Sequence, residues 1–126
     1  MNIPKHLKYA KTHEWVEFIG ETTARIGISD YAQDAMGGIV FVNLPNENDI
    51  VSESESFGEI ESVKAVSDLI SPVSGKIAAV NAKLDEFPEH INDAPYEAWL
   101  IQVSEINSNP ELMDASEYEV FCQDEK

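Results

Sequence analysis

Phe57-Gly58-Glu59-Ile60-Glu61-Ser62-Val63-Lys64-Ala65-Val66-Ser67-Asp68-Leu69-Ile70 contains two extended segments, 57–63 and 65–70, set back to back around one lysine. Phe57, Ile60 and Val63 stand before Lys64, and Val66, Leu69 and Ile70 after it. Apolar spacing of this kind reads as strands. Two strands that follow each other directly pair by reversing, so Lys64 is placed at the reversal, with its amine lifted clear of the fold on a hairpin tip.

Downstream, Pro72 and the turn Ser74-Gly75 lead into Lys76-Ile77-Ala78-Ala79-Val80, a strand, and Trp99-Leu100-Ile101-Gln102-Val103 reads as a later one. A long polar connection with Pro88 and Pro95 lies between them. Upstream, Ser52 to Ser56 reads as an exposed turn, Ile50-Val51 as a short strand, and Pro45 to Asp49 as a polar loop. The apolar run Ile39-Val40-Phe41-Val42, ending at Asn43-Leu44-Pro45, predicts a strand buried on both faces. Gly37-Gly38 stops a short helix through Tyr31, Ala32, Gln33 and Met36 that Ser29 or Asp30 caps. Alternation in Glu14–Ile19 and Thr22–Ile28 about Gly20-Glu21 predicts an opening hairpin. At the other end, Asn109-Pro110 is a helix start and Asp114 with Glu117 resembles a capping box, which together predict two short helical turns. Many short strands without long helical crossovers favour a mostly β protein, a small sandwich or flattened barrel rather than a parallel sheet.

The 126 residues suffice for one compact domain, taken as 1–126. A 43% hydrophobic content with two Trp, five Phe and four Tyr is too apolar for a disordered chain. Twenty-four acids against eight bases give a formal net charge of -16, which repels a phosphate backbone and excludes nucleic acid as a partner. The same charge favours solubility and could steer the chain toward basic patches on larger proteins. The lone Cys122 allows no internal disulfide, the N-terminal stretch has no apolar signal segment, and nothing approaches a membrane span. A soluble cytoplasmic protein is expected, or a matrix protein if the chain is a processed mitochondrial form.

A lysine on a hairpin tip suits covalent modification, because a modifying enzyme must enclose the amine and the flexible stem then lengthens any tether. By spacing alone, the ordinary reading is a solvated charge. His6, His13 and His90 are scattered without metal-ligand spacing, so no metal is expected. Cys122 lacks a flanking base and reads as a helix-packing thiol, and the two Trp, each in a strand pattern, read as core anchors. No phosphate loop, serine elbow or dinucleotide fingerprint occurs.

Leu7-Lys8-Tyr9, Thr12-His13-Glu14-Trp15-Val16, Gly27-Ile28-Ser29-Asp30-Tyr31-Ala32-Gln33, Ile39-Val40-Phe41-Val42, Leu44-Pro45, Glu61-Ser62-Val63-Lys64-Ala65, Ser67-Asp68, Pro72-Val73-Ser74-Gly75, Val80-Asn81, Pro95-Tyr96 and Trp99 follow one another in an order that resembles the glycine cleavage H-protein family along nearly the whole chain. The resemblance implies a lipoyl-type flattened barrel of two small antiparallel sheets, with Lys64 carrying lipoic acid in amide linkage. It implies a non-catalytic shuttle of an aminomethyl group from glycine decarboxylase (P protein) to aminomethyltransferase (T protein). Dihydrolipoamide dehydrogenase (L protein) would reoxidise the dithiol, and a lipoyl ligase or transferase would install the arm. It further implies that Glu14, Thr12 and Asp68 line a cleft for the loaded arm, where a carboxylate beside a protonated amine makes a charge-assisted hydrogen bond; the ordinary alternative is that they are surface strand residues.

The chain departs from the family in three places. Ser52–Ser56 replaces a glycine-bearing turn, Tyr31 stands where many members have His, and the Pro-Tyr-x-x-Gly-Trp pattern is shortened to Pro95-Tyr96-Glu97-Ala98-Trp99. The last difference keeps alive a lipoyl-relay carrier for 2-oxoacid dehydrogenases, beside an unmodified interaction module. A biotin carrier is disfavoured because Val63 and Ala65 replace the methionines that flank a biotinyl lysine. An enzyme finds no nucleophile–base pair.

Overall fold

The computed structural model describes residues 1–108 and 110–125. In chain order the elements are β1 (Lys8–Tyr9), β2 (Glu14–Phe18), β3 (Ala24–Ile28), α1 (Asp30–Met36), β4 (Ile39–Asn43), β5 (Ile50–Val51), β6 (Ser56–Ser62), β7 (Val66–Ile70), β8 (Gly75–Val80), α2 (Lys83–Glu86), α3 (His90–Asp93), β9 (Ile101–Ser104) and α4 (Ala115–Asp124). The strands form two antiparallel sheets, a six-stranded one in the order β1-β2-β3-β9-β8-β5 and a three-stranded one in the order β4-β6-β7. The mostly β sandwich expected from the strand spacing is what forms.

Alternation decides which faces meet. Val16, Ala24, Ile26 and Ile28 of the large sheet share one core with Ile39, Val42, Ile60 and Leu69 of the small one. Ile60 and Leu69 are almost fully buried, and burial of each is worth roughly 2 kcal/mol. A second cluster of Leu7, Tyr9, Trp15, Ala115, Tyr118 and Cys122 lies under α4, with the Tyr9 and Tyr118 rings stacked at 4.5 Å. Cys122 is thus a packing residue, as read from sequence.

The opening hairpin has the expected register, Glu14 opposite Ile28 and Phe18 opposite Ala24. Ser29 caps α1 by accepting from the Ala32 N–H. Elsewhere the structure corrects the sequence reading. The run 39–42 is not buried on both faces, for Val40 and Phe41 are about half exposed. The register shifts between Ile39 and Phe41, so the inserted Val40 and the next residue, Phe41, both turn outward, and only one face of the small sheet has a partner layer. The polar connection after β8 contains α2 and α3, which bury Leu84 and Ile91 completely; four-residue helices are too short to show a period. β9 begins at Ile101, two residues after the expected start, and the partly buried Trp99 packs under the Arg25 guanidinium at 5.0 Å. At the C-terminus one helix of ten residues replaces two short turns. Asn109 lies outside the described residues and Pro110 is not helical, while Met113 exchanges backbone hydrogen bonds with Tyr9 (2.8 and 2.9 Å). The capping box of Asp114 and Glu117 forms as expected. The shortened segment is held in place: the Trp15 indole donates to the Pro95 carbonyl at 3.0 Å.

Candidate functional site

β6 and β7 pair as Glu59–Asp68, Ile60–Ser67 and Glu61–Val66, which leaves Ser62 to Ala65 as the turn. Ser62 builds it. Its N–H donates to the Ala65 carbonyl at 2.8 Å, and its buried Oγ accepts from the backbone N–H groups of Lys64 (3.3 Å) and Ala65 (3.1 Å). A side-chain oxygen that takes two N–H groups fixes a turn that the backbone alone leaves open. The Val63 N–H donates to the Gly38 carbonyl at 2.9 Å, so the tip also leans on the loop after α1. Lys64 is exposed, and among the described residues it enters no ion pair.

Gly37 ends α1 with φ +83°, a backbone state open to glycine. A β-carbon there would also come within 3.3 Å of the Lys64 Cε. The double glycine therefore does more than stop the helix: it makes the flat shoulder over which the lysine stem passes.

α1 is one wall of a cleft of about 310 Å³ whose lining includes Thr12, Glu14 and Asp68 together with Ile28, Ile60, Leu69, Ala32 and Met36. The three polar residues named from the resemblance thus share one cavity, while Lys64 sits beyond its wall, against Gly37, the residue after Met36. Other hollows are larger, but none of their walls includes Glu14, the single buried acid among the described residues. Glu14 is 2% exposed, whereas Thr12 and Asp68 are exposed. The Thr12 hydroxyl donates to Glu14 Oε1, and the Ile70 N–H donates to Oε2 at 3.4 Å.

Burial pushes the Glu14 carboxyl from 4.5 up to about 7, against the opposing pull of the Thr12 and Ile70 hydrogen bonds. Between these values the folded chain holds a proton that the unfolded chain has lost. The stability this supplies is complete below the unfolded pKa and is lost as pH rises through the folded one, a change of about 3 kcal/mol at most. Glu14→Gln is expected to remove it, so the wild-type minus variant difference in melting temperature should fall from pH 5 to pH 8. A flat difference in thermal melts across that range would show that Glu14 titrates as it does in water.

His13, left unassigned by spacing, joins the cleft to α4. Its Nε2 pairs with the Glu125 carboxylate at 2.8 Å, its Nδ1 meets the Tyr118 hydroxyl at 2.7 Å, and its ring lies 4.8 Å from that of Tyr31. Ser62 acts within its own turn, on Lys64 and Ala65, whereas the roles of Gly37, Gly38 and His13 depend on partners far along the chain. Among the described residues no group of three or more His, Cys, Asp or Glu is placed to hold a metal ion, and no helix is long and apolar enough to cross a membrane.

The family model described as glycine cleavage H-protein matches residues 7–125. The chain belongs to that family. It is 49% identical over 125 residues to the glycine cleavage system H protein of Lachnoclostridium phytofermentans, covering 99% of this chain and 98% of the relative. It is 50% identical over 127 residues to that of Halalkalibacterium halodurans, covering 98% of each. The crystal structure of a glycine cleavage system H protein from Mycobacterium marinum superposes with a TM-score of 0.88 at 40% identity, over 98% of this chain and 100% of that one. The chain is accordingly a non-catalytic carrier component of the glycine cleavage system, of the H-protein family whose members carry lipoate.

Proposed function

We propose that residues 1–126 act as one lipoyl-type domain in the cytoplasm, that Lys64 is the attachment point for lipoic acid in amide linkage, and that Thr12, Glu14 and Asp68 form the resting place of the loaded arm. The observation that carries this reading is the exposed Lys64 on a turn fixed by Ser62 and Gly38, whose stem crosses Gly37 at the end of the helix that walls the Glu14 cleft. The bound group, once attached to Lys64 by a lipoyl ligase or transferase, would supply a dithiolane whose S–S bond opens to accept an aminomethyl group at the P protein; release of that group at the T protein would leave a dithiol for the L protein to reoxidise.

The chain's own residues position and shield. Lys64 presents its amine clear of the fold, where an attaching enzyme can enclose it. A carboxylate has about four acceptor sites; Thr12 and Ile70 occupy one on each Glu14 oxygen, which leaves capacity for a cationic donor. A protonated amine placed there would hold Glu14 ionised by charge-assisted hydrogen bonding, opposing the upward push of burial. Ile28, Ile60, Leu69 and Met36 line the same cleft and limit water around that amine. Tethering keeps the cargo at high effective concentration near each docked partner.

Lipoylated protein mixed with P protein and glycine should support exchange of the glycine carboxyl with labelled bicarbonate, and the unlipoylated chain should not. A carrier that serves only to relay lipoyl groups to 2-oxoacid dehydrogenases would be lipoylated yet inactive in this exchange.

A further inference from the structure

α3 is a single turn of helix pinned in the core by Ile91, and the next residue, Asn92, faces the loop beneath the lysine hairpin. Its Nδ2 donates to the Gly37 carbonyl at 3.0 Å and to the Gln33 Oε1 at 2.9 Å, and its Oδ1 accepts from the Ile39 N–H at 2.8 Å. The amide orientation is not ambiguous, because a backbone carbonyl only accepts and a backbone N–H only donates. One side chain thus clasps the residues on both sides of Gly38, and the Gly38 carbonyl receives the Val63 N–H one residue before Lys64. Two consecutive glycines without such a clasp would be the least restrained stretch of this wall.

We propose that Asn92 is a positioning residue for the modification of Lys64: it fixes the Gly37–Gly38 shoulder so that the turn is held in one orientation before an attaching enzyme arrives. This rests on the reading of Lys64 as the lipoylation site. Asn92 touches neither the lysine nor its amine in this arrangement; it acts through the loop. Pre-ordering of a docked segment appears in the encounter with the enzyme rather than in the chemical step.

The test is steady-state lipoylation of the apo chain by a purified lipoate ligase with free lipoate and ATP, followed by intact mass. Asn92→Ala should raise the KM for the chain about tenfold, the effect expected from hydrogen bonds lost around a docked loop, with kcat within twofold, and should speed hydrogen exchange at the Val63 amide. Asn92→Asp keeps the acceptor for Ile39 but has no donor for Gly37, and should show the same split. It serves in place of the alanine variant if that one is melted at the assay temperature. Ile91→Val, which loosens the same helix without touching the amide, should leave KM unchanged. Folded Asn92 variants with wild-type KM and wild-type Val63 exchange overturn the inference while leaving the role of Lys64 intact. A wild-type chain that takes up no lipoyl group overturns the attachment reading, and the inference with it.

Discussion

Replacing Lys64 by arginine should yield a chain that folds as before, takes up no lipoyl group and supports no glycine cleavage. The side chain is exposed and outside the described ion pairs, so stability should change by no more than about 0.5 kcal/mol. Chemistry is another matter. Amide formation needs an amine that gives up its proton as the acyl carbon is attacked and the activating group departs. A guanidinium, protonated at every accessible pH, offers no such lone pair. Activity should fall to background and not to a fraction. Co-expression with a lipoyl ligase and lipoate, followed by intact mass and peptide mapping, reads the outcome directly. A lipoyl increment that persists in Lys64→Arg would move the attachment site to another lysine and detach the cleft from its proposed cargo.

The second large effect lies in the sheet that carries the hairpin. Gly58 sits where β6 changes register, and a β-carbon on it would come 2.2 Å from the Asn43 carbonyl oxygen and 3.3 Å from the Asn43 carbonyl carbon. The obstacle is backbone, which cannot rotate aside as a side chain would. Gly58→Ala must therefore push β4 away from β6 where Asn43 pairs with Glu59. The expected loss is about 3 kcal/mol, at the upper end for overpacking, equivalent to a melting point lower by roughly 10 °C. Thermal melts check it, and a variant that melts within a degree or two of wild type would show that β4 yields freely. Lipoylation of this variant at low temperature should survive, since the Ser62–Ala65 turn is at the other end of the strand.

The parts of the molecule legible in sequence were those governed by local rules. The hairpin around Lys64, the Ser29 and Asp114 caps and the stop at Gly37 each depend on residues within a few positions. Val40 and Phe41 were misplaced because a continuous apolar run does not reveal whether a second layer covers it; here the bulge turns both outward. Leu84 and Ile91 were hidden in a polar stretch because each is a single buried anchor on a one-turn helix. The site divides in the same way. Lys64 could be singled out from its turn, whereas the grouping of Thr12, Glu14 and Asp68 came from family resemblance, and the cleft that joins them needs β2, β7 and α1 in place. Asn92 had no local signal at all, since its partners lie 53 to 59 positions away.

The strand order carries a cost that belongs to biosynthesis. Ala24 of β3 must wait for Val103 of β9, and Tyr9 for Met113, while β7 needs only β6, whose other neighbour, β4, precedes it in the chain. A ribosome that delivers the chain from its N-terminus releases β3 with one edge bare and completes the lysine hairpin long before the large sheet can close. Non-local pairing of this kind is slow, and an open edge invites pairing with other chains in the meantime. The bare edge of β3 is therefore a hazard of the half-made state, closed once β9 arrives, and the formal charge of -16 spread along the sequence helps to keep nascent copies apart until then.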